Sequence, residues 1–187
     1  MAFLTRGRRR GAAAVCAAAS LLVCARATAQ TPENEVRAAF LYNFTKFVEW
    51  PQVPAHVGEP FRMCIASEDD FALVVEAIVK GESVGGRPIA VETPATSEAA
   101  RACQVLFVSH GERERGARML AAVRDLPVLT VGDSPRFLQS GGAIQFVLEN
   151  RRVRFDINLP AIDRAGLRVS SDLLRVARTI QTVGAGQ

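Results

Sequence analysis

The chain has little of what a catalytic or nucleic-acid-binding protein usually displays. It has only two histidines, His56 and His110. Without a positioned partner, each reads as an exposed loop residue rather than a general base. No Gly-x-Ser-x-Gly, P-loop or Gly-x-Gly-x-x-Gly sequence joins a strand to a helix, so the nucleophile elbow and the usual nucleotide cradles are missing. Asp133-Ser134-Pro135 superficially resembles a nucleophile setting, but it reads more simply as a helix N-cap. The four cysteines form no Cys-x-x-Cys pair and no Cys/His cluster, which leaves nothing with zinc-ligand spacing. No metal, cofactor or catalytic set is expected. Beyond the amino-terminal segment, no stretch approaches the roughly 20 apolar residues of a membrane helix.

That amino-terminal segment has a clear form of its own. Arg6, Arg8, Arg9 and Arg10 make a basic start, Gly11 to Cys24 an apolar run, and Ala27-Thr28-Ala29 a small-residue cleavage site. This is the pattern of a secretory signal peptide over residues 1–29, leaving residues 30–187 as one exported domain. Val23 stands where a lipidation motif wants Gly, Ala or Ser, so Cys24 reads as part of the signal and not as a lipid anchor. Removing the segment takes away five arginines and no acid, which moves the formal net charge from +4 to −1. A nucleic-acid partner thereby loses its main support, since such binding rests on clustered positive charge. Cys64 and Cys103 remain, and two cysteines in an exported domain suggest one disulfide, with two separate buried thiols as the alternative.

Read in order, the remaining chain alternates strands with helices. Thr31 and Pro32 open an amphipathic helix that carries Val36, Phe40, Phe44 and Phe47 and stops near Trp50-Pro51. Phe61 to Ala66 is a strand, followed by a helix capped by Asp69 or Asp70 and stopped at Gly81. Pro88 to Glu92 is a strand, and Thr96 opens a helical turn. Gln104 to Ser109 is a continuous apolar run of the kind buried on both faces. A charged helix spans Glu112 to Asp125, Pro127 to Val131 is another buried strand, and Asp133 starts a short helix through Phe137 and Leu138. After the segment from 141 to 158, short helices follow from Leu159-Pro160 to Gly166 and from Ser170 or Ser171 through Ile180. This order predicts an α/β fold in a single domain, a Rossmann-like layered arrangement with a mostly parallel sheet and an antiparallel C-terminal hairpin. Cys64 and Cys103 become neighbours if the first and third strands pair.

The hairpin, Gly141 to Asn158, organises the rest. Ile144, Phe146 and Leu148 fall on one face of its first strand, and Val153, Phe155 and Ile157 on one face of its second. The opposite face of the second strand carries Arg152, Arg154, Asp156 and Asn158. Gly141 and Gly142 at the entry allow a positive φ or a close approach of backbone to a neighbour. An arginine fork beside them suits a carboxylate or phosphate, from a small anionic ligand or from a partner protein. Arg168, near the final helix, joins this candidate surface, and Asn43 and Lys46 on the first helix are weaker members of it.

Two long stretches, Ala38 to Pro51 and Gly141 to Asn158, resemble the YfiR family of exported proteins. Cys64, the run from Cys103 to Phe107 and the stretch Gly166 to Ser171 also fit. The resemblance implies a periplasmic repressor that restrains an inner-membrane diguanylate cyclase through the cyclase's periplasmic sensing region and so lowers cyclic-di-GMP. It implies a binding protein and not an enzyme, and it leaves room for a small anionic ligand and a homodimer. The second disulfide of some relatives cannot form here, because no cysteine follows Cys103. The competing reading is an exported small-molecule-binding protein, or an unrecognised hydrolase, without a cyclase partner.

Amino-terminal sequencing of the exported protein is expected to begin at Gln30. A diacylglyceryl group on Cys24 would overturn that expectation.

Overall fold

The computed structural model describes residues 32–51 and 58–182. The signal segment 1–29, Thr31 as an N-cap and His56 lie outside the described residues. The first helix, α1 (Pro32–Phe47), runs into a two-residue strand, β1 (Val48–Glu49). Then follow β2 (Phe61–Ala66), α2 (Phe71–Val79), β3 (Ser83–Val84), β4 (Arg87–Glu92), α3 (Ser97–Ala100), β5 (Val105–Val108), α4 (Arg113–Val123) and β6 (Leu129–Gly132). The hairpin strands are β7 (Ile144–Glu149) and β8 (Arg152–Asn158). The chain closes with α5 (Leu159–Arg164), β9 (Arg168–Val169), α6 (Ser171–Val176) and β10 (Thr179–Gln181).

Eight strands form one sheet in the order β10-β8-β7-β6-β5-β2-β4-β3, and β1 pairs with β9 in a separate ribbon. The run β4-β2-β5-β6-β7 is parallel, while β7–β8 and β3–β4 are antiparallel. This is the mostly parallel α/β sheet with an antiparallel C-terminal hairpin that the sequence predicts. Every residue of β5 and β6 is buried, as strands covered on both faces must be.

The hairpin's apolar face is covered by α1. Phe44 meets Phe155 edge to face at 5.1 Å and lies 5.9 Å from Phe146, and Phe40 meets Phe155 at 5.4 Å. Such pairs are worth about 0.5–1.5 kcal/mol beyond their area burial. Phe71 of α2 extends the layer to Phe107 of β5 at 4.8 Å. Leu148, expected on the same face, is 56 % exposed near the hairpin tip. The other side of the sheet has its own core, where Met119, Leu120 and Val123 of α4 pack with Leu106, Val108 and Phe137.

Cys64 of β2 and Cys103, just before β5, form a disulfide with Cα atoms 5.9 Å apart. The pairing of β2 with β5 brings them together, as the strand order requires.

The two glycines at the hairpin entry divide the two roles expected of them. Gly141 has φ +93°, and an added Cβ on Gly142 would stand 2.2 Å from the Phe137 ring.

Two predicted helices differ from the sequence reading, and β1, β3 and β9 are short strands it does not name. Residues 134–140 form successive turns, not a helix, held by isolated bonds such as Ser140 N–H to Arg136 O and Gly142 N–H to Phe137 O. The chain must double back there to lay Phe137 against Gly132 and Gly142. The final helix also stops at Val176, and Thr179–Gln181 pair in parallel with Asp156 to Asn158. The free edge of β8 supplies backbone partners, beginning with Arg178 N–H to Phe155 O, that a continued surface helix would leave unused.

Replacing both Cys64 and Cys103 by Ser should destabilise the domain by about 4 kcal/mol for a closed loop of this length, read by chemical denaturation with and without reductant. Non-reducing peptide mapping that finds both thiols free would overturn the pairing. A Gly142→Ala variant should lose about 1–3 kcal/mol through overpacking, and Phe137→Leu in the same chain should restore part of it. Equal stability of Gly142→Ala and the parent would show that Phe137 moves freely.

Candidate functional site

The non-apolar side of the hairpin is less uniform than alternation alone implies. Asp156 and Asn158 are buried, at 7 % and 5 % exposure, whereas Arg152 and Arg154 are exposed. Asn158 donates from Nδ2 to Leu138 O at 3.2 Å and to Gly142 O at 3.1 Å, while its Oδ1 accepts from Ala161 N–H as the cap of α5. Gln145 accepts from Leu138 N–H, and Thr130 Oγ1 accepts from Ala143 N–H at 2.9 Å. These polar side chains satisfy the backbone of the 134–143 segment folded over the sheet. They are therefore structural, because leaving such buried groups unpaired costs about 1–3 kcal/mol each.

Asp156 is occupied as well. Arg178, just before β10, donates Nε–H to Asp156 Oδ1 at 2.8 Å and Nη2–H to Oδ2 at 2.5 Å, and its Nη1 lies 3.6 Å from Glu149. Hydrogen bonding to Asp156, the largest influence, holds the Arg178 guanidinium above its already high pKa. The fork is planar and bidentate, the geometry in which an arginine–carboxylate pair is strongest. Arg178 escaped the sequence reading because it sits inside what looks like a continuing helix.

Past this fork the hairpin face is open. Arg152 and Arg154 make no ion pair among the described residues, and with Glu149 and Asn150 they line a shallow depression of about 330 Å³. The turn beside it is tight, since Asn150 and Arg151 take φ +50° and +61° between the closing pair Glu149 and Arg152. Two consecutive positive φ values mark the two-residue turn whose twist matches the strands. Arg154 is thus presented on a stiff ribbon, available to a carboxylate or phosphate.

Arg168 is not on this face. It lies on the β1–β9 ribbon opposite Glu49, at the end of α1, and is exposed. Asn43 and Lys46 are exposed on α1, with the Lys46 ammonium 4.1 Å from the Tyr42 ring centre. The expected surface is accordingly two patches: Arg152 and Arg154 at the hairpin tip, and Arg168 on a separate ribbon beside the helix that carries Asn43 and Lys46.

Catalytic alternatives find little geometry. Gly81-Glu82-Ser83-Val84-Gly85 has the letters of a nucleophile elbow, yet it runs from the end of α2 into the β3–β4 ribbon, the reverse of the strand-to-helix turn that exposes a nucleophile. Asp133 does not cap a helix. Its Oδ1 accepts from His110 N–H at 2.6 Å and its Oδ2 from Arg37 Nη1 at 3.1 Å. Burial pushes its carboxyl above the ordinary range, opposed by Arg37 and by the His110 N–H. Among the described residues no three His, Cys, Asp or Glu side chains gather to hold a metal ion, and no helix is long and apolar enough to cross a membrane.

Comparison with solved structures gives the same architecture at low identity. A conserved domain protein from Vibrio cholerae O1 biovar El Tor superposes with a TM-score of 0.53 at 10 % identity, over 79 % of this chain and 60 % of that one. An ABC domain in complex with L-Trp from Streptococcus pneumonia gives 0.52 at 8 % identity, over 80 % and 60 %. At such identities the likeness is one of fold, and this chain spans about 60 % of the length of either. The YfiR/HmsC-like family model, in contrast, matches residues 34–178, from the first turn of α1 to the arginine that forks Asp156, and the chain belongs to that family.

Proposed function

We propose that the protein is a periplasmic repressor that binds the periplasmic sensing region of an inner-membrane diguanylate cyclase and lowers cyclic-di-GMP output. Membership of the YfiR/HmsC-like family over residues 34–178 carries this reading. The Cys64–Cys103 disulfide fits an oxidising compartment, and exposed arginines with no ion-pair partner among the described residues suit recognition of acidic groups on a partner. Repression requires tighter binding to the inactive cyclase conformation than to the active one, since equal affinity shifts nothing. Arg154 is the proposed contact at the hairpin tip, with Arg152 beside it. Arg168, with Asn43 and Lys46, forms the second patch. Asp156 acts indirectly, by fixing Arg178 and the β8 edge from which Arg154 projects.

Replacing Arg154 or Arg168 by Ala removes a charge-assisted contact worth about 1.5–3 kcal/mol, which weakens the complex roughly 10- to 100-fold. Intracellular cyclic-di-GMP and surface attachment should rise in such strains. The melting temperature should hold, because exposed substitutions of this kind usually stay within about 0.5 kcal/mol. Unchanged cyclic-di-GMP on deleting the whole gene beside an intact cyclase would end the regulatory reading. Silent arginine variants in a strain that does respond to deletion would move the contact surface elsewhere.

A further inference from the structure

A cleft of about 530 Å³ opens at the carboxyl ends of β5 and β6, and its lining shares no residue with either arginine patch. It lies at the end of the sheet that the topology favours. The chain steps from β2 outward to β4 and then returns to the other side of β2 as β5 and β6, so the strand order reverses between β2 and β5, one strand from the β5–β6 gap where the cleft opens. Open α/β sheets bind ligands outside the carboxyl ends of their strands, near such a reversal. The volume lies within the roughly 300–1,000 Å³ usual for small-molecule pockets.

The lining has a division of labour. Leu120 and Phe137 give an apolar floor, Ser109 and Ser134 supply hydroxyls, and Arg113 and Arg136 come from two different segments. Gly116 lets α4 sit against the sheet, since an added Cβ there would stand 2.3 Å from Val108 Cγ1.

The charge is unbalanced in a specific way. The acid on the wall, Glu112, is buried and paired with Arg115 at 2.8 Å. Asp133, beneath the rim, is already bonded to Arg37 and to His110 N–H. Arg113 and Arg136 have no carboxylate partner among the described residues. The 11-residue helix α4 also begins here without a side-chain cap. Arg113 N–H is taken by Gly111 O, but the dipole of the helix adds to the preference for negative charge.

We propose that this cleft is a binding site for a small organic anion, its phosphate or carboxylate held by Arg113 and Arg136 and its apolar body resting on Leu120 and Phe137. The site is independent of the cyclase reading, because neither arginine belongs to the surface invoked there. Asp133 also connects it to the rest of the molecule, joining the His110 rim of the cleft to Arg37 of α1.

The test is an NMR titration of the mature protein with phenyl phosphate and 3-phenylpropionate, with inorganic phosphate and benzyl alcohol as head-only and body-only probes. At least one aryl anion should bind with sub-millimolar affinity, shifting amides in residues 109–116 and 134–140, and both partial probes should bind more weakly. Arg113→Ala and Arg136→Ala should each weaken binding about tenfold or more, as loss of a charge-assisted bond does. Arg113→Gln and Arg136→Gln serve if an alanine variant melts early, and Arg164→Ala, an exposed arginine outside both surfaces, should bind like the parent. The proposal is overturned if neither aryl anion binds more tightly than about 1 mM, the weak end of specific affinity. It is equally overturned if both arginine variants bind unchanged, if inorganic phosphate matches the aryl anions, or if Arg164→Ala abolishes binding.

Discussion

The contact between Phe40 and Phe44 of α1 and Phe146 and Phe155 of the hairpin is the constraint on which the rest of the molecule depends. A two-stranded hairpin is marginal alone in water, and α1 alone would expose its aromatic stripe. Each covers the other, and that choice fixes which side of β7 and β8 looks outward. Because side chains alternate along a strand, placing Phe155 and Ile157 under α1 commits Arg154 and Asp156 to the opposite side. The arginine at the hairpin tip is presented by the same register that buries the aromatic core.

On that opposite side, polar groups do two kinds of work, separated along the strand. Toward the carboxyl end of β8, Asn158, with Gln145 and Thr130, replaces water for the backbone of a segment that has no regular structure of its own. Asp156 then binds Arg178 and secures β10 as a new edge. Toward the tip none of the described residues is laid over Arg152 and Arg154, which stand exposed to other molecules. A charge buried and forked supports the scaffold, whereas one left in solvent contributes little to stability and remains available for recognition.

Much of this was legible in the sequence, for local reasons. Period-two alternation marks the hairpin faces, apolar runs mark β5 and β6, and Thr96 and Ser170 cap helices where their spacing says they should. The Cys64–Cys103 pair follows from strand adjacency. What escaped depends on partners distant in sequence. The burial of Asp156 and Asn158 needs Arg178 and Leu138 O, neither of which leaves a mark in the hairpin itself. The stretch Leu173 to Ile180 keeps helical spacing, and only the open edge of β8 turns its end into a strand. Arg113 and Arg136 approach one cleft because β5 and β6 are neighbours, a fact of topology that no local pattern carries. Arg168, joined with Arg154 in one candidate surface by the sequence reading, falls on a different surface for the same reason.

The α1–hairpin contact also bears on how the chain reaches this structure. Roughly 100 residues separate Phe44 from Phe146, so α1 leaves the ribosome long before its cover exists. At about 5–20 residues per second the interval is on the order of 5–20 s. Throughout it, an aromatic stripe has no native partner. Closing so long a loop must precede any reward from the contact, which slows the formation of this part of the core. Until the hairpin emerges, Phe40 and Phe44 face whatever else recognises an apolar stripe, and only its arrival lets the helix settle into its native place.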